Sequence, residues 1–303
     1  MTGALVPIAA DASRTAGAAC YAMHGVHLDV VTDVAAAAAA AAMSYGAFAT
    51  DAPHDAETGR VSVSAHRAGD RIRLEDHHGG VADVTGETAA VLGVLDRIVM
   101  AVLDGLHTRG IVGTHAGVVA IDGRAVLLSG RSGRGKSTLT LGLVRGGAEW
   151  LSDELALVAA DDVTILPFPR ALHVSPATAN LLPELSFLHE RPRHDLGGGS
   201  EWSVAPEDLV RAFGTRTAGP TRLAGILLLD GTPDPTSPPA ISRVAPALAT
   251  MELLRGTPAA ADDFAGTMRR LSDIVVRAST ARLRVGELDR TARLVGDWVR
   301  GLP

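Results

Sequence analysis

At 303 residues the chain has the length of about two domains, and 47% hydrophobic against 20% charged residues is enough apolar material for a sizeable core. A formal net charge of −6 argues against a nucleic-acid or anionic-membrane surface as the main partner. The single cysteine, Cys20, cannot close an intrachain disulfide and has no second cysteine with which to share a metal, so it reads as a buried structural thiol in a reducing, cytoplasmic setting.

Residues 1–19 show no periodicity and are expected to be loose. They carry no positive region ahead of an apolar stretch, so they do not read as a signal peptide. Leu28–Val31 alternates as a strand. Thr32 or Asp33 is placed to cap a helix built from the alanines Ala35–Ala42, with Gly46 closing it; that run is too short and too weakly apolar to cross a bilayer. Val61–Leu74 reads as two strands around Ala68-Gly69-Asp70. Val91, Leu95, Ile98, Val102 and Leu106 recur at helical spacing within Glu87–Leu106. Residues 1–106 are therefore expected to form a small N-terminal α+β module, and residues 107–303 a second domain.

In that second part, Val118–Ile121 and Ala125–Ser129 flank Asp122-Gly123, a hairpin signal because both turn positions need positive φ. A glycine-rich loop follows, then a helix Ser137–Arg145 stopped by Gly146-Gly147. Leu155–Ala159 and Thr164–Phe168 flank Asp161-Asp162 as another hairpin. Glu190–Ser203 is polar with three consecutive glycines and is expected to be a mobile loop. Leu223–Leu229 is a continuous apolar strand, and Thr232–Pro239 is a proline-rich turn. Two helices close the chain, one with Phe264, Met268, Leu271 and Val275 on its inner face, the other with Leu288, Ala292, Val295 and Val299; a strand Ala281–Val285 lies between them. There is no internal repeat.

The chemistry concentrates at Gly130-Arg131-Ser132-Gly133-Arg134-Gly135-Lys136-Ser137, followed by Thr138. This matches G-x-x-x-x-G-K-S/T with a strand before it and a helix after it, the context that the motif requires. Glycines let successive backbone N–H groups wrap a phosphate, and the helix N-terminus adds partial positive charge. Lys136 can reach the β- and γ-phosphates, and the Ser137 hydroxyl can ligate Mg²⁺. ATP or GTP with Mg²⁺ is the implied cofactor. Arg131 and Arg134 either touch phosphate or face water.

The loop lies within a longer pattern running from His115 through the hairpin, loop and helix to Trp150-Leu151-Ser152-Asp153-Glu154. Residues 115–154 resemble the catalytic domain of HPr kinase/phosphorylase and its relatives, a group that also resembles phosphoenolpyruvate carboxykinase in fold. The resemblance implies a mixed α/β fold of that kind. It implies Asp153 as the general base for an acceptor hydroxyl, Glu154 as the acid near the metal, and His115 as a residue that positions phosphate or tunes the base. Phe168-Pro169-Arg170 is similar to a proline–basic turn of the kinase-only relatives, where Arg170 would clamp phosphate or acceptor. The second acid is Glu where the bifunctional enzymes have Asp, and the Glu-x-Arg-Gly signature of the reverse reaction has no match. The chain thus resembles the kinase-only relatives associated with peptide modification, which phosphorylate a serine of a peptide or small protein. Related kinases can be oligomers, so a homo-oligomer is compatible with this resemblance.

Two other readings stand beside it. One is a small-molecule kinase acting on a free amino acid. The other is a phosphate-loop ATPase or nucleotide switch in which Asp230, at the end of the apolar run Ile226–Asp230, reaches the metal; an acid capping the turn at Gly231 explains Asp230 equally.

Overall fold

The computed structural model describes residues 17–51, 60–195, 199–258 and 263–303. The chain is mixed α/β and falls into two compact units. One gathers the chain up to Arg109 with Arg170–Asn180 and Leu185–Pro206; the other gathers Gly110–Pro169, Leu181–Glu184 and the chain from Glu207 onward.

The first unit is built on a five-stranded sheet ordered β1 (Gly17–Met23), β2 (Val26–Thr32), β3 (Arg60–Ala68), β4 (Arg71–Glu75) and β5 (Val81–Val84). Helix α1 (Ala35–Tyr45) joins β2 to β3, which pair in parallel, and α2 (Glu87–His107) follows β5 and packs against α1, β2 and β3. The inner face of α2 is Val91, Val94, Ile98, Val102 and Leu106, all buried. It follows the 3.6-residue period, except that Val94 rather than Leu95 lies inward.

Three expectations change here. Residues 17–19 are not loose, because they are the first rungs of β1, registered against Val30–Thr32 of β2; residues 1–16 lie outside the described residues. Neither Thr32 nor Asp33 caps α1. Val34 takes the cap position without a side-chain bond. Thr32 Oγ1 accepts from Val34 N at 2.9 Å, and Asp33 Oδ1 accepts from Arg67 N of β3 at 2.8 Å. A backbone donor brought in by strand pairing has taken the oxygen that a helix N-terminus would use. Finally, Glu190–Ser203 holds ordered strands. His194–Asp195 pairs with Ser200–Val204, which pairs with Leu172–Val174. Trp202 and Val204 alternate inward, and Trp202 Nε1 donates to Arg191 O at 3.1 Å. Residues 196–198 of that segment lie outside the described residues. Cys20 lies opposite Asp29 across β1 and β2, with its thiol donating to Asp29 Oδ1 at 3.1 Å.

The second unit contains β6 (Ile111–Thr114), β7 (Ala116–Ile121), β8 (Arg124–Ser129), α3 (Lys136–Arg145), β9 (Glu149–Ser152), β10 (Ala156–Ala159), β11 (Thr164–Leu166), β12 (Thr221–Asp230), β13 (Ala240–Arg243), α4 (Pro246–Arg255), α5 (Phe264–Arg277), β14 (Ser279–Arg284) and α6 (Leu288–Arg300). The sheet runs β6-β10-β11-β12-β8-β7-β9, with β14 also on β12 and β13 on β14. Strand β12 pairs in parallel with β8 and with β14. Parallel strands covered on both faces read as unbroken apolar runs, as Ala125–Leu128 and Ile226–Leu229 do. Asp122 and Gly123 turn the β7–β8 hairpin at φ 51° and 73°.

Strand β6 and helix α4 lack a sequence pattern strong enough to predict; α4 begins with Pro246 at its first turn and buries Ala249, Thr250 and Leu253. Phe264 is 57% exposed, against expectation. It is the first helical residue of α5, capped by Asp263, and lies outside the stripe Leu271, Ile274 and Val275 that reaches the core.

Strand β7 and helix α3 meet at Gly117. A Cβ there would lie 2.3 Å from Thr140 Oγ1, so only a hydrogen fits. Gly117→Ala is expected to destabilise the protein by about 1–3 kcal/mol, read as a lower urea midpoint at unchanged slope. An unaltered midpoint would show that α3 yields at this contact.

Candidate active site

The sheet order gathers the site. Strand β7 is antiparallel to both β8 and β9, with Ala116 opposite Ser129 and Val118 opposite Ser152. The start of β7 and the ends of β8 and β9 therefore lie at one sheet edge. His115 precedes β7, Gly130 follows β8, and Asp153 follows β9. Strand β12, parallel to β8, ends at the same edge, and a Cβ on Gly130 would lie 3.1 Å from Leu229 Cβ.

The loop Gly130–Gly135 turns through left-handed conformations at Gly133 and Gly135, with φ 76° and 83°. Gly135 is the N-cap of α3, and its carbonyl accepts from Leu139 N at 2.8 Å. Lys136 is only 8% exposed. Its ammonium donates to Gly130 O at 2.7 Å and Arg131 O at 3.4 Å, so it folds back over the loop. Burial holds its pKa below the usual lysine value, against the raising effect of the Asp153 and Glu154 charges. Arg131 and Ser132 are exposed, and Arg134 and Thr138 are half-buried.

Asp153 is 3% exposed. Its Oδ2 accepts from Ser137 Oγ at 2.7 Å. Its Oδ1 is buried, with the Thr140 hydroxyl beside the carboxylate. Burial pushes its pKa up to about 6; the Ser137 and Thr140 hydroxyls and the Lys136 charge pull the other way, and the Glu154 charge adds to the rise. An acid in that range exchanges protons near neutral pH.

His115 is exposed, and its backbone N–H donates to Gly256 O at 2.6 Å. Its Nδ1 lies 3.0 Å from Glu154 O. A carbonyl only accepts, so Nδ1 carries the proton, and in the neutral ring Nε2 keeps its lone pair. The ring thus ties the strand start to the Asp153-Glu154 turn. Glu154 is half-buried. Asp230 pairs with Arg282 at 3.4 Å and is more than half exposed. Arg170 belongs to the first compact unit.

Sequence reading missed Thr140, which is fully buried beside Asp153, where its hydroxyl helps to hold the carboxyl's pKa down. The available signal was spacing: three residues after Ser137 on a helix is the same face. It also missed Gly256, which holds His115 by a bond spanning 141 residues of chain that no local pattern could announce.

The donor set suits a magnesium–nucleotide. The Ser137 hydroxyl and the half-buried Glu154 carboxylate are hard oxygen donors, next to the Asp153 carboxylate that accepts from Ser137. The loop amides, the start of α3 and the Lys136 ammonium offer positive charge to phosphates.

Among the described residues no helix is long and apolar enough to cross a membrane. No protein-family model matches the chain, and no curated protein matches it. Among solved structures, it is similar to the Hpr(Ser) kinase/phosphatase from Coxiella burnetii, at 13% identity and a TM-score of 0.28, over 62% of this chain and 93% of that one. A likeness that slight leaves the chemistry to be argued from the site itself.

Proposed function

We propose that the chain is an ATP- and Mg²⁺-dependent kinase that transfers the γ-phosphate to a hydroxyl, a serine of a peptide or small protein. The observation that carries this reading is the bond from Ser137 in the phosphate loop to the buried carboxylate of Asp153, whose pKa stands near 6. Lys136 and the loop amides hold the phosphates. Ser137 and Glu154 hold the metal, and Mg²⁺, when bound, neutralises charge on the β- and γ-phosphate oxygens. Asp153 takes the proton of the acceptor hydroxyl as that oxygen attacks. His115 steers the Asp153-Glu154 turn through its Nδ1–H.

The same bond favours a second reading. A carboxylate bonded to the loop serine also describes the metal-side acid of phosphate-loop ATPases, with hydrolysis in place of transfer. A free amino acid as acceptor is the variant in which the pocket is closed rather than a groove.

Incubation with ATP, Mg²⁺ and either serine-containing peptides or free serine, followed by mass spectrometry, separates these readings. The proposal expects a peptide to gain one phosphate and little ATP turnover without it. Steady hydrolysis with no acceptor, undiminished by peptide, would replace kinase by ATPase. Phosphoserine as the sole product would move the acceptor to a small molecule.

A further inference from the structure

A second cluster of metal-ligating side chains lies in the first unit and plays no part in the reading above. Strand β4 ends at Glu75, and the turn to β5 is tied by Asp76: its Oδ1 accepts from His78 N at 2.9 Å and from Gly80 N at 2.8 Å, and its backbone exchanges bonds with Gly79 and Gly80. This fixed turn presents His77 and His78 side by side, with ring centroids 3.9 Å apart. Opposite them, the last turns of α2 supply Asp104, whose Oδ2 lies 2.9 Å from His77 Nε2 and 3.1 Å from His78 Nε2. Helix α2 is seated firmly on β4, since a Cβ at Gly93 would lie 2.3 Å from Leu74 Cδ1.

We propose that His77, His78 and Asp104 form a binding site for a divalent transition-metal ion such as zinc. Two imidazole nitrogens and one carboxylate oxygen converge within 4.8 Å of one another. With zinc–nitrogen bonds of about 2.0–2.1 Å, ligand atoms on one face of a tetrahedron stand about 3.3 Å apart, and the spacings of 2.9 and 3.1 Å are a little under that edge. The donor types exclude Mg²⁺ and Ca²⁺, which take oxygen shells, and suit zinc and its neighbours. The His77 side chain is 7% exposed while that of His78 is 72% exposed. The buried ring supplies a fixed ligand, and the open side leaves the fourth position to water or to an incoming group. Without a cation, two rings share a single carboxylate oxygen. A metal gives each of the three ligand atoms a bond of its own and clips the end of α2 to the β4–β5 turn.

The test uses the full chain freed of any histidine tag, stripped with chelator and titrated with Zn²⁺ and, for its visible absorption, Co²⁺. The expected result is one tightly held ion per chain. His78→Ala, on an exposed ring that folding does not require, should weaken that binding at least tenfold. Asp104→Asn should do the same while ATP-dependent activity is unchanged. No stoichiometric binding by the parent protein, or equal affinity in His78→Ala, would overturn the site. Neither result bears on the kinase reading, whose assay is separate.

Discussion

Replacing Lys136 by alanine is expected to lower nucleotide-dependent turnover by on the order of 10²–10³-fold and to weaken triphosphate binding with it, the scale seen when one preorganised charge donor is removed from a reacting centre. The side chain is almost fully buried, and its ammonium is held by the carbonyls of Gly130 and Arg131. On the proposed reading the ammonium exchanges those carbonyls for phosphate oxygens. A triphosphate in the loop offers it charged oxygens, a stronger attraction than neutral carbonyls can supply. The alanine variant loses that gain and also removes the positive charge that partly offsets burial at Asp153. Nucleotide affinity by titration, turnover by product analysis, and a circular-dichroism check of folding measure the effect. A folded variant with unchanged affinity and rate would remove the loop from the site.

Asp153→Asn is expected to do two opposite things. Phosphoryl transfer should fall by on the order of 10²–10⁴-fold, the usual worth of a positioned proton acceptor, with Mg–nucleotide affinity nearly kept. Stability at pH 8 should rise. The carboxyl titrates near 6 in the folded protein against 3.8 ordinarily. Below pH 3.8 it is protonated folded or unfolded and costs nothing. Between 3.8 and about 6 the unfolded chain ionises first, so stability falls as pH rises. Above 6 the penalty is complete, and the difference of about 2 pH units corresponds to roughly 3 kcal/mol. Asparagine carries no such penalty. The variant should therefore show a higher urea midpoint than the parent at pH 8, with the gap narrowing by pH 4.5, and transfer by the parent should rise as pH passes 6. A variant that is less stable at pH 8 and still transfers phosphate would mean that Asp153 is structural. A variant that loses Mg–nucleotide affinity in step with turnover would make it a metal-side acid. Destabilising acids kept in a cleft are a common cost of function.

Much of the local structure around the candidate site was legible in the residues alone, for reasons that can be named. The run Gly130–Ser137 carries its own backbone requirement, and the structure meets it with left-handed glycines and a helix that begins at Lys136. Asp122-Gly123 dictates a hairpin locally, and Val91 to Leu106 dictates a helix face. Local signals failed where distant chain competed for the same groups. Asp33 looked like a helix cap until Arg67 N of β3 claimed its oxygen. The polar, glycine-bearing stretch after Glu190 looked unstructured until a strand at Leu172–Val174 gave Ser200–Val204 a partner.

The amino-acid order alone determined that a glycine-rich loop opens onto a helix, which ammonium and hydroxyl it carries, and that an acidic pair follows about one helix and one strand later, because each depends on spacing within a few dozen residues. Only the tertiary structure decided that Asp153 is buried against Ser137 rather than solvated, that His115 is held by Gly256 and Glu154, and that two histidines of one turn meet an aspartate of α2. The reason is physical. A carboxylate's proton affinity and a ring's tautomer are set by the atoms that exclude water around them, and strand pairing brings those atoms from far along the chain.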